Sequence, residues 1–314
     1  MIIEIPDASD FGNSGRYFLN LAWDAISALY LDIENSSLEE WDDDHQVTDE
    51  FWASAQGRLA NAAVLAQQGV EFLIKERIAE VSPFLLLYGS PRDWPSRWQE
   101  ENTPFAAFRT VDAQDLVRIH NTVRADRLDD GFCQRIEALR RLRNMIVHTV
   151  DKRVRHSPGE LWVSILDASH HLMGPHQWVP VRRSYLQSSP DAVLWGPDDA
   201  ECQICGEFVR LLKIVKPAEA KLYLGVTLRQ RFYICPHCAD ECSDSDLYPM
   251  TAQLRPNSPQ STQIYCFVCR QNHAVLRIPC PAKGCAGNVV QEEGNLCLTC
   301  YKEFPRERGK STTT

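Results

Sequence analysis

At 314 residues, with 44% apolar and 24% charged side chains, the chain is long for one core and ordinary in composition for a globular protein in water. No apolar run reaches the length of a membrane span, and the start from Met1 to Asp7 lacks the basic and long apolar stretches of a secretory leader, so a cytoplasmic protein with no membrane partner is expected. The net charge of −9 is uneven, residues 1–150 holding 14 Lys+Arg against 25 Asp+Glu, which excludes broad, sequence-blind coating of nucleic acid but leaves room for a local basic site.

Along the chain, the first helical period follows Ser14, a suitable N-cap, with Phe18, Leu21, Ala22, Ala25 and Leu29 on one face. The acidic run Leu38–His45 reads as a solvated loop, because like charges repel and stay in water. Residues 48–81 read as one long helix. Leu59, Ala62, Ala63, Ala66, Val70, Leu73 and Ile74 keep its period, and Ser82-Pro83 ends it. The stretch from Gly89 to Pro95 is rich in breakers and reads as a loop, followed by a helix over 113–121.

A helix from Asp130 carries the densest positive charge of the acidic half. Phe132, Ile136, Leu139, Leu142 and Ile146 form its apolar face, while Arg135, Arg140, Arg141 and Arg143 occupy the rest, with Lys152, Arg153 and Arg155 beyond. The last helix of this half opens on Ser157-Pro158-Gly159-Glu160, a capping-box pattern with proline at the first helical position. Its apolar face is Leu161, Ile165, Ala168 and Leu172, and Gly174-Pro175 stops it. His170, His171 and His176 near its end read as surface or packing residues.

After residue 175 the texture changes. Residues 175–200 read as a linker with a short strand, residues 201–304 as a β-rich module of short strands between cysteine pairs, and the polar tail 305–314 as disordered. Ten of the twelve cysteines fall in those pairs. In a reducing cytosol, close pairs of thiols are metal ligands more readily than disulfides.

Cys202-x-x-Cys205 and Cys235-x-x-Cys238 read as two knuckles offering four thiolates to one tetrahedral zinc, with strands near Phe208–Val215 and Lys221–Ile234 between them. Arg229, Arg231 and Tyr233 between them suit contact with phosphate or bases, and read more simply as an ordinary exposed strand face. Further on, Cys280, Cys285, Cys297 and Cys300 are assigned to one ion, and Cys266 and Cys269 recruit two of Cys242, His237 and His273. The alternative pairs Cys266 and Cys269 with Cys297 and Cys300. Two structural zinc ions are expected, with room for a third. Filled thiolate shells favour a structural role over a catalytic one.

Arg143-Asn144-Met-Ile-Val-His148, at the end of the basic helix, carries the chemistry of the first half. The motif resembles the R-x4-6-H signature of the HEPN superfamily, and Gln67-Gln68-Gly69-Val70-Glu71-Phe72-Leu73-Ile74-Lys75 is similar to the second-helix pattern of many of its members. The resemblance covers residues 14–174. It implies an α+β multidomain protein, with an all-α HEPN-like bundle in residues 1–174 ahead of the zinc-ribbon module.

The resemblance also implies a metal-independent endoribonuclease, of the kind found in toxin–antitoxin and anti-phage systems, acting as a homodimer on RNA. In that reading Arg143, Asn144 and His148 are catalytic, and Arg140, Arg141, Lys152 and Arg153 bind RNA. The zinc module senses a trigger, a regulatory protein or a nucleic acid. The alternative is a catalytically inert scaffold in which both halves only bind.

The residue types suit the reaction. Imidazole titrates near neutrality and can move the proton of a ribose 2′-OH, and a guanidinium offers paired donors to phosphate oxygens. On an ideal helix, Arg143 and His148 stand about 140° apart, so one copy of the motif assembles a site poorly and two facing copies do it better.

Overall fold

The computed structural model of the chain describes residues 1–37, 42, 45–90, 92, 94–95, 102–148, 155–195, 197–242 and 248–303, the side chains of His148, Asp191, Trp195, Pro197 and Asp198 excepted. The acidic run of 38–44 other than Asp42, the basic residues Lys152 and Arg153, and the tail 305–314 lie outside the described residues. The chain divides into two compact units, Met1–Trp178 and Val179–Thr314. It is mostly helical, with small sheets and a cysteine-rich second unit, consistent with the α+β class.

In the first unit, helix α1 (Ala8–Asn35) starts earlier than Ser14 because two aspartates cap it reciprocally. The Asp10 N–H donates to Asp7 Oδ1 at 3.0 Å, and the Asp7 N–H donates to Asp10 Oδ2 at 2.9 Å. Ser14 is inside the helix, where its hydroxyl donates to the Asp10 carbonyl.

The helix expected over 48–81 is two, α2 (Gln46–Ser54) and α3 (Gln56–Ala79). At the break the Gln56 side chain donates to the Trp52 carbonyl at 2.9 Å and accepts from the His156 N–H at 2.7 Å. Asp42 departs from the solvated-loop expectation. It is buried and accepts from the Thr48 N–H at 2.8 Å and from the Val47 N–H at 3.3 Å, supplying the cap that His45 does not.

Helices α1 and α3 pack along most of their length, burying Leu19, Trp23 and Ile26 of one and Leu59, Ala66 and Leu73 of the other. Two glycines set their closest approach. A Cβ on Gly69 would stand 2.7 Å from the Leu19 side chain and 3.0 Å from the Gly15 carbonyl.

Helix α6 (Pro158–Leu172) follows the expected cap, Ser157 Oγ accepting from the Glu160 N–H at 3.3 Å. Its Trp162 stacks on Trp23 at 5.0 Å and on Tyr30 at 4.7 Å between centroids, an aromatic core that no 3.6-residue period announces. His171 takes a packing role, lying 4.3 Å from the Phe132 ring in a stacked arrangement.

Helices α4 (Ala113–Val123) and α5 (Asp130–His148) complete the described helices between α3 and α6. Asp129 Oδ1 accepts from the Phe132 N–H and starts α5, and Arg135 clamps it to α6 by donating to both carboxylate oxygens of Asp167, at 2.6 and 3.1 Å. Helix α5 packs on α3 and α4. Of the expected apolar face Phe132 is buried, but Ile136, Leu139, Leu142 and Ile146 are only half-covered.

The second unit departs from the sequence reading. Residues 175–200 are not a linker with a strand. They run through α7 (Trp178–Gln187), α8 (Pro190–Trp195) and the start of α9 (Pro197–Leu212). Pro190 and Pro197 stand at helix starts, where a missing N–H costs nothing.

The strands expected near Phe208–Val215 and Lys221–Ile234 are likewise absent among the described residues. The first stretch finishes α9, and the second contains the helical turn Ala220–Leu224, ended by Gly225 at φ 69°. Buried Arg182 of α7 donates to both carboxylate oxygens of buried Glu207 of α9, at 3.0 and 2.7 Å. The first unit's only described sheet is the parallel pair β1 (Ile2–Ile3) and β2 (Thr103–Pro104). In the second unit, after the short helix α10 (Pro236–Glu241), strands β3 (Ala252–Leu254), β4 (Gln263–Cys266), β5 (Asn272–Leu276) and β6 (Val290–Gln291) form one antiparallel sheet in sequence order.

Candidate functional site

Two chemical constellations stand out, one in each unit. In the second unit, Cys235 is the N-cap of α10 and Cys238 sits in its first turn, while Cys266 ends β4 and Cys269 closes the turn before β5. The four sulfurs lie within 4.8 Å of one another. The measured edges are 3.7 Å for Cys235–Cys269 and 3.7 Å for Cys238–Cys266.

A zinc–sulfur bond of about 2.3 Å in a regular tetrahedron gives edges of about 3.8 Å, so the cage is already the size of the ion. Cys280, Cys285, Cys297 and Cys300 form a second such group, with edges of 3.8 Å for Cys280–Cys300 and 3.9 Å for Cys285–Cys297. Both groups can hold a metal ion, and both fit structural zinc.

Backbone geometry builds these cages. The N–H of Cys269 points at Cys266 Sγ (3.5 Å), that of Ala282 at Cys280 Sγ (3.4 Å) and that of Gly287 at Cys285 Sγ (3.3 Å), the donors a thiolate wants once it has lost its proton. Arg270, Gly284 and Tyr301 take positive φ in the turns that close the loops. The two groups are stitched together, since the Ile234 N–H donates to the Leu298 carbonyl at 2.9 Å and the Leu298 N–H donates to the Val289 carbonyl at 2.9 Å.

Around the first group, His273 Nε2 lies 3.4 Å from Cys235 Sγ and 3.6 Å from Cys269 Sγ, and buried Thr251 Oγ1 lies 3.1 Å from Cys266 Sγ. Arg183 donates to Glu201 Oε1 at 2.6 Å and to the Val268 carbonyl at 2.8 Å, inside the Cys266–Cys269 turn. Burial works to lower the Arg183 pKa, but Glu201 and the thiols of Cys238 and Cys269 outweigh it and hold the group above its usual value. A guanidinium there offsets the negative charge of a thiolate cage.

The ligand grouping corrects the sequence reading in two places. Cys266 and Cys269 complete their set with Cys235 and Cys238, not with two of Cys242, His237 and His273. Cys235 and Cys238 face Cys266 and Cys269, not Cys202 and Cys205, which sit one turn apart on α9. The reason is that C-x-x-C describes a knuckle and a helix face equally well. Assignment of Cys280, Cys285, Cys297 and Cys300 to one ion agrees with the structure, and the alternative of Cys266 and Cys269 with Cys297 and Cys300 does not. Arg231 is tied to the second group, donating to Thr299 Oγ1 at 3.2 Å.

In the first unit, the turns of α5 before His148 line a cleft of about 390 Å³. Glu71 and Lys75 of α3 form one wall, residues 110–114 at the N-terminus of α4 a second, and Arg140, Arg143 and Asn144 of α5 the third. Arg143 Nη1 donates to Asn144 Oδ1 at 3.0 Å. The cleft's carboxylates are engaged, Glu71 accepting from Gln67 Nε2 at 2.6 Å and Asp112 accepting from Arg109 Nη2 at 2.9 Å. Burial lowers the Lys75 pKa against the pull of Glu71 and Asp112.

A helix N-terminus, two arginines and a lysine therefore face a space large enough for a phosphate and part of a ribose. Of the expected RNA contacts, Arg140 and Arg141 both donate to Glu137, at 2.7 and 2.8 Å through their Nε atoms. These two arginines hold the Glu137 carboxyl down at about 2. Lys152, Arg153 and the side chain of His148 lie outside the described residues. The part of the site that the sequence missed is Lys75 with the α4 N-terminus, distant in sequence and brought together only by packing of α3 on α4.

No helix among the described residues is long and apolar enough to cross a membrane. No protein-family model, curated protein or solved structure matches the chain.

Proposed function

We propose that the chain is a metal-independent endoribonuclease of the HEPN type, acting as a homodimer, whose second unit is a zinc-stapled module that senses a trigger, a regulatory protein or a nucleic acid. The observation that carries the reading is the opening of Arg143 and Asn144 into a cleft shared with Lys75 and the N-terminus of α4. Such a cleft suits a phosphodiester. The ribose 2′-oxygen attacks phosphorus while His148 takes its proton, the 5′-oxygen leaves and takes a proton from water, and the products are a 2′,3′-cyclic phosphate and a 5′-hydroxyl. Arg143 neutralises the phosphorane's oxygens and Asn144 holds the guanidinium in place.

Support for a dimer comes from the same helix. Ile136, Leu139, Leu142 and Ile146 are only half-covered, and Met145 and Val147 are exposed, so a second α5 would bury apolar surface while bringing two motifs together. A defence or toxin role follows from the resemblance alone.

A second reading, an inert scaffold, is favoured by the engagement of Arg140 and Arg141 on Glu137, which leaves fewer donors for RNA. The test is incubation of the purified chain with RNA in magnesium-free buffer containing EDTA. Cleavage with cyclic-phosphate ends that vanishes in Arg143→Ala and His148→Ala supports the enzyme. RNA left intact by a dimeric, metal-loaded chain, together with no toxicity in cells, supports the scaffold.

A further inference from the structure

One face of the second unit's sheet takes no part in the cages. Side chains alternate along a strand, so Tyr265 turns away from the side on which its neighbours Ile264 and Cys266 are buried. The register sets Gln253, Tyr265 and Asn272 side by side on β3, β4 and β5. Gln263, two residues before Tyr265, shares that face, and its carbonyl accepts from the Arg255 N–H at 3.1 Å. Around Tyr265 the face is therefore polar, whereas the side behind it buries Leu254, Ile264 and Val275.

Two features make this face a platform. The Arg255 guanidinium lies over the Tyr265 ring, 3.8 Å from its centroid, and is pinned there by donating through Nη2 to the Gly225 carbonyl at 3.0 Å. Arg255 is exposed, so a flat cation stands open to water on an aromatic support. The charge is also one-sided. From Leu247 to Gln291 the chain has four Lys or Arg and no Asp or Glu. Arg270 is exposed in the turn that joins β4 to β5, and exposed Arg229 follows in the loop that Gln253 holds, its Nε2 donating to the Thr227 carbonyl at 2.8 Å.

We propose that this face binds a single-stranded polynucleotide, one base stacking on the Arg255–Tyr265 pair while Arg270 and Arg229 draw the backbone phosphates. The proposal rests on the reading of the second unit as a sensing module, chooses nucleic acid as what it senses, and is independent of the cleft in the first unit. An unpaired base has a free π-face, and aromatic rings and guanidinium planes are what such bases stack on. A duplex hides those faces and offers the platform only phosphates. A protein interface needs a dry apolar centre around its anchors, and here the neighbours of Tyr265 are amides and a guanidinium. The amides of Gln263 and Asn272 can hydrogen-bond base edges.

The experiment uses the full zinc-loaded chain and a fluorescent oligonucleotide of about 12 nucleotides, 2′-O-methylated so that no ribose hydroxyl can attack its phosphate. The same sequence as DNA and as a duplex completes the set, and anisotropy reads affinity over a range of salt. Both single strands should bind more tightly than the duplex. Tyr265→Leu should weaken them about 10-fold and leave the salt dependence unchanged. Arg270→Ala should lessen the log–log salt slope by about 0.7, the loss of one phosphate contact. Arg255→Lys keeps the charge but loses the plane, and should bind as poorly as Tyr265→Leu. A photocrosslink from a 4-thiouridine probe, mapped by mass spectrometry, should fall within residues 253–272. Equal affinity for the duplex, crosslinks confined to the first unit, or folded, zinc-loaded variants that all bind like wild type overturn the platform. Failure of the wild type to bind any oligonucleotide also overturns it, and leaves the face to a protein partner. Because the probe cannot be cleaved, these outcomes are the same whether or not the first unit is a nuclease.

Discussion

Arg143 hands one N–H to the side chain of its own neighbour, Asn144 Oδ1, at 3.0 Å, and both line the cleft beneath α4. Adjacent residues on a helix diverge by about 100°, so this contact requires the guanidinium to turn sideways across the cleft mouth instead of extending outward. In the proposed reaction Asn144 is thus a positioning residue for Arg143. Replacement of Asn144 by Ala should lower kcat for RNA cleavage about 100-fold with little change in KM, the usual result of a misplaced charge. Arg143→Lys should not restore activity to Arg143→Ala, because an ammonium cannot span two phosphate oxygens. Single-turnover cleavage of an RNA oligonucleotide measures both, and activity of Arg143→Lys equal to wild type refutes the paired-donor role.

Gly287 has no room for a methyl group. A Cβ there would stand 2.7 Å from Thr299 Oγ1 and 2.9 Å from Cys297 Sγ. Gly287→Ala should therefore distort the Cys280–Cys300 cage and weaken its metal retention about 10- to 100-fold, with the Cys235–Cys269 cage unaffected. Competition with a chromogenic chelator would resolve the two classes of ion. Identical release from wild type and variant contradicts the crowding argument.

Removing the metal tests the staple itself. Structural zinc in small modules contributes on the order of 10–16 kcal/mol to folding, far more than the short strands β3 to β6 supply. Prolonged treatment with a strong chelator should abolish amide protection in residues 248–303 while α1 and α3 keep theirs. Hydrogen exchange read by mass spectrometry reports each segment separately. Unchanged protection of the sheet would mean that the cages are ornaments.

The ion pair of Arg182 and Glu207 is 0% and 1% exposed on its two side chains. Glu207→Ala leaves a guanidinium buried without its counter-charge and should cost about 3–5 kcal/mol, whereas the double change to Arg182→Met and Glu207→Leu should recover most of that. Denaturant unfolding of the two variants decides it. A single variant as stable as wild type would show that water reaches the pair.

Acid should weaken the first unit through His120. This histidine is 0% exposed, and its neighbour's amide orientation is set on both sides: Asn121 Nδ2 donates to the Leu128 carbonyl and Asn121 Oδ1 accepts from the Leu128 N–H. The His120 Nδ1, 2.9 Å from the same Oδ1, must then be the donor. Nε2 has no hydrogen-bond partner among the described residues, so a proton placed there would be buried and unmatched.

Burial lowers the His120 pKa, opposed by the contact with Asn121 and assisted by Arg77 and Arg124. The folded value therefore lies below the unfolded one. The stabilisation is whole above the unfolded value of about 6.5 and is lost as pH falls below it. His156 and His170 shift the same way, burial leading in each. Melting temperature should fall between pH 7.5 and 5, and His120→Gln should flatten that fall. A pH slope unaltered by the substitution would clear His120.

Much of this was readable from residue order, and the failures share a cause. The α6 cap, the start of α5 at Asp130 and the grouping of Cys280 with Cys285, Cys297 and Cys300 follow from local chemistry, and local chemistry is what a sequence displays. The errors came where one pattern serves two geometries. The stretch 175–200 that read as a linker holds Pro190 and Pro197 at helix starts, and Cys202-x-x-Cys205 fits a helix face as well as a knuckle. The Lys75 wall of the cleft, the Trp23–Trp162 stack and the tie from Arg183 to Val268 depend on which segments meet, and no periodicity encodes that.

The order of the cage ligands has a consequence for biosynthesis. Cys235 closes onto Cys269 across 34 positions and Cys280 onto Cys300 across 20, and the first loop is complete before the second begins. A ribosome delivering this chain would present each set of thiols whole, so ions can be captured one after another without a half-filled cage waiting on distant residues. Starved of metal, a cell would then accumulate molecules with a sound helical front and an untied rear, the form that proteases remove first.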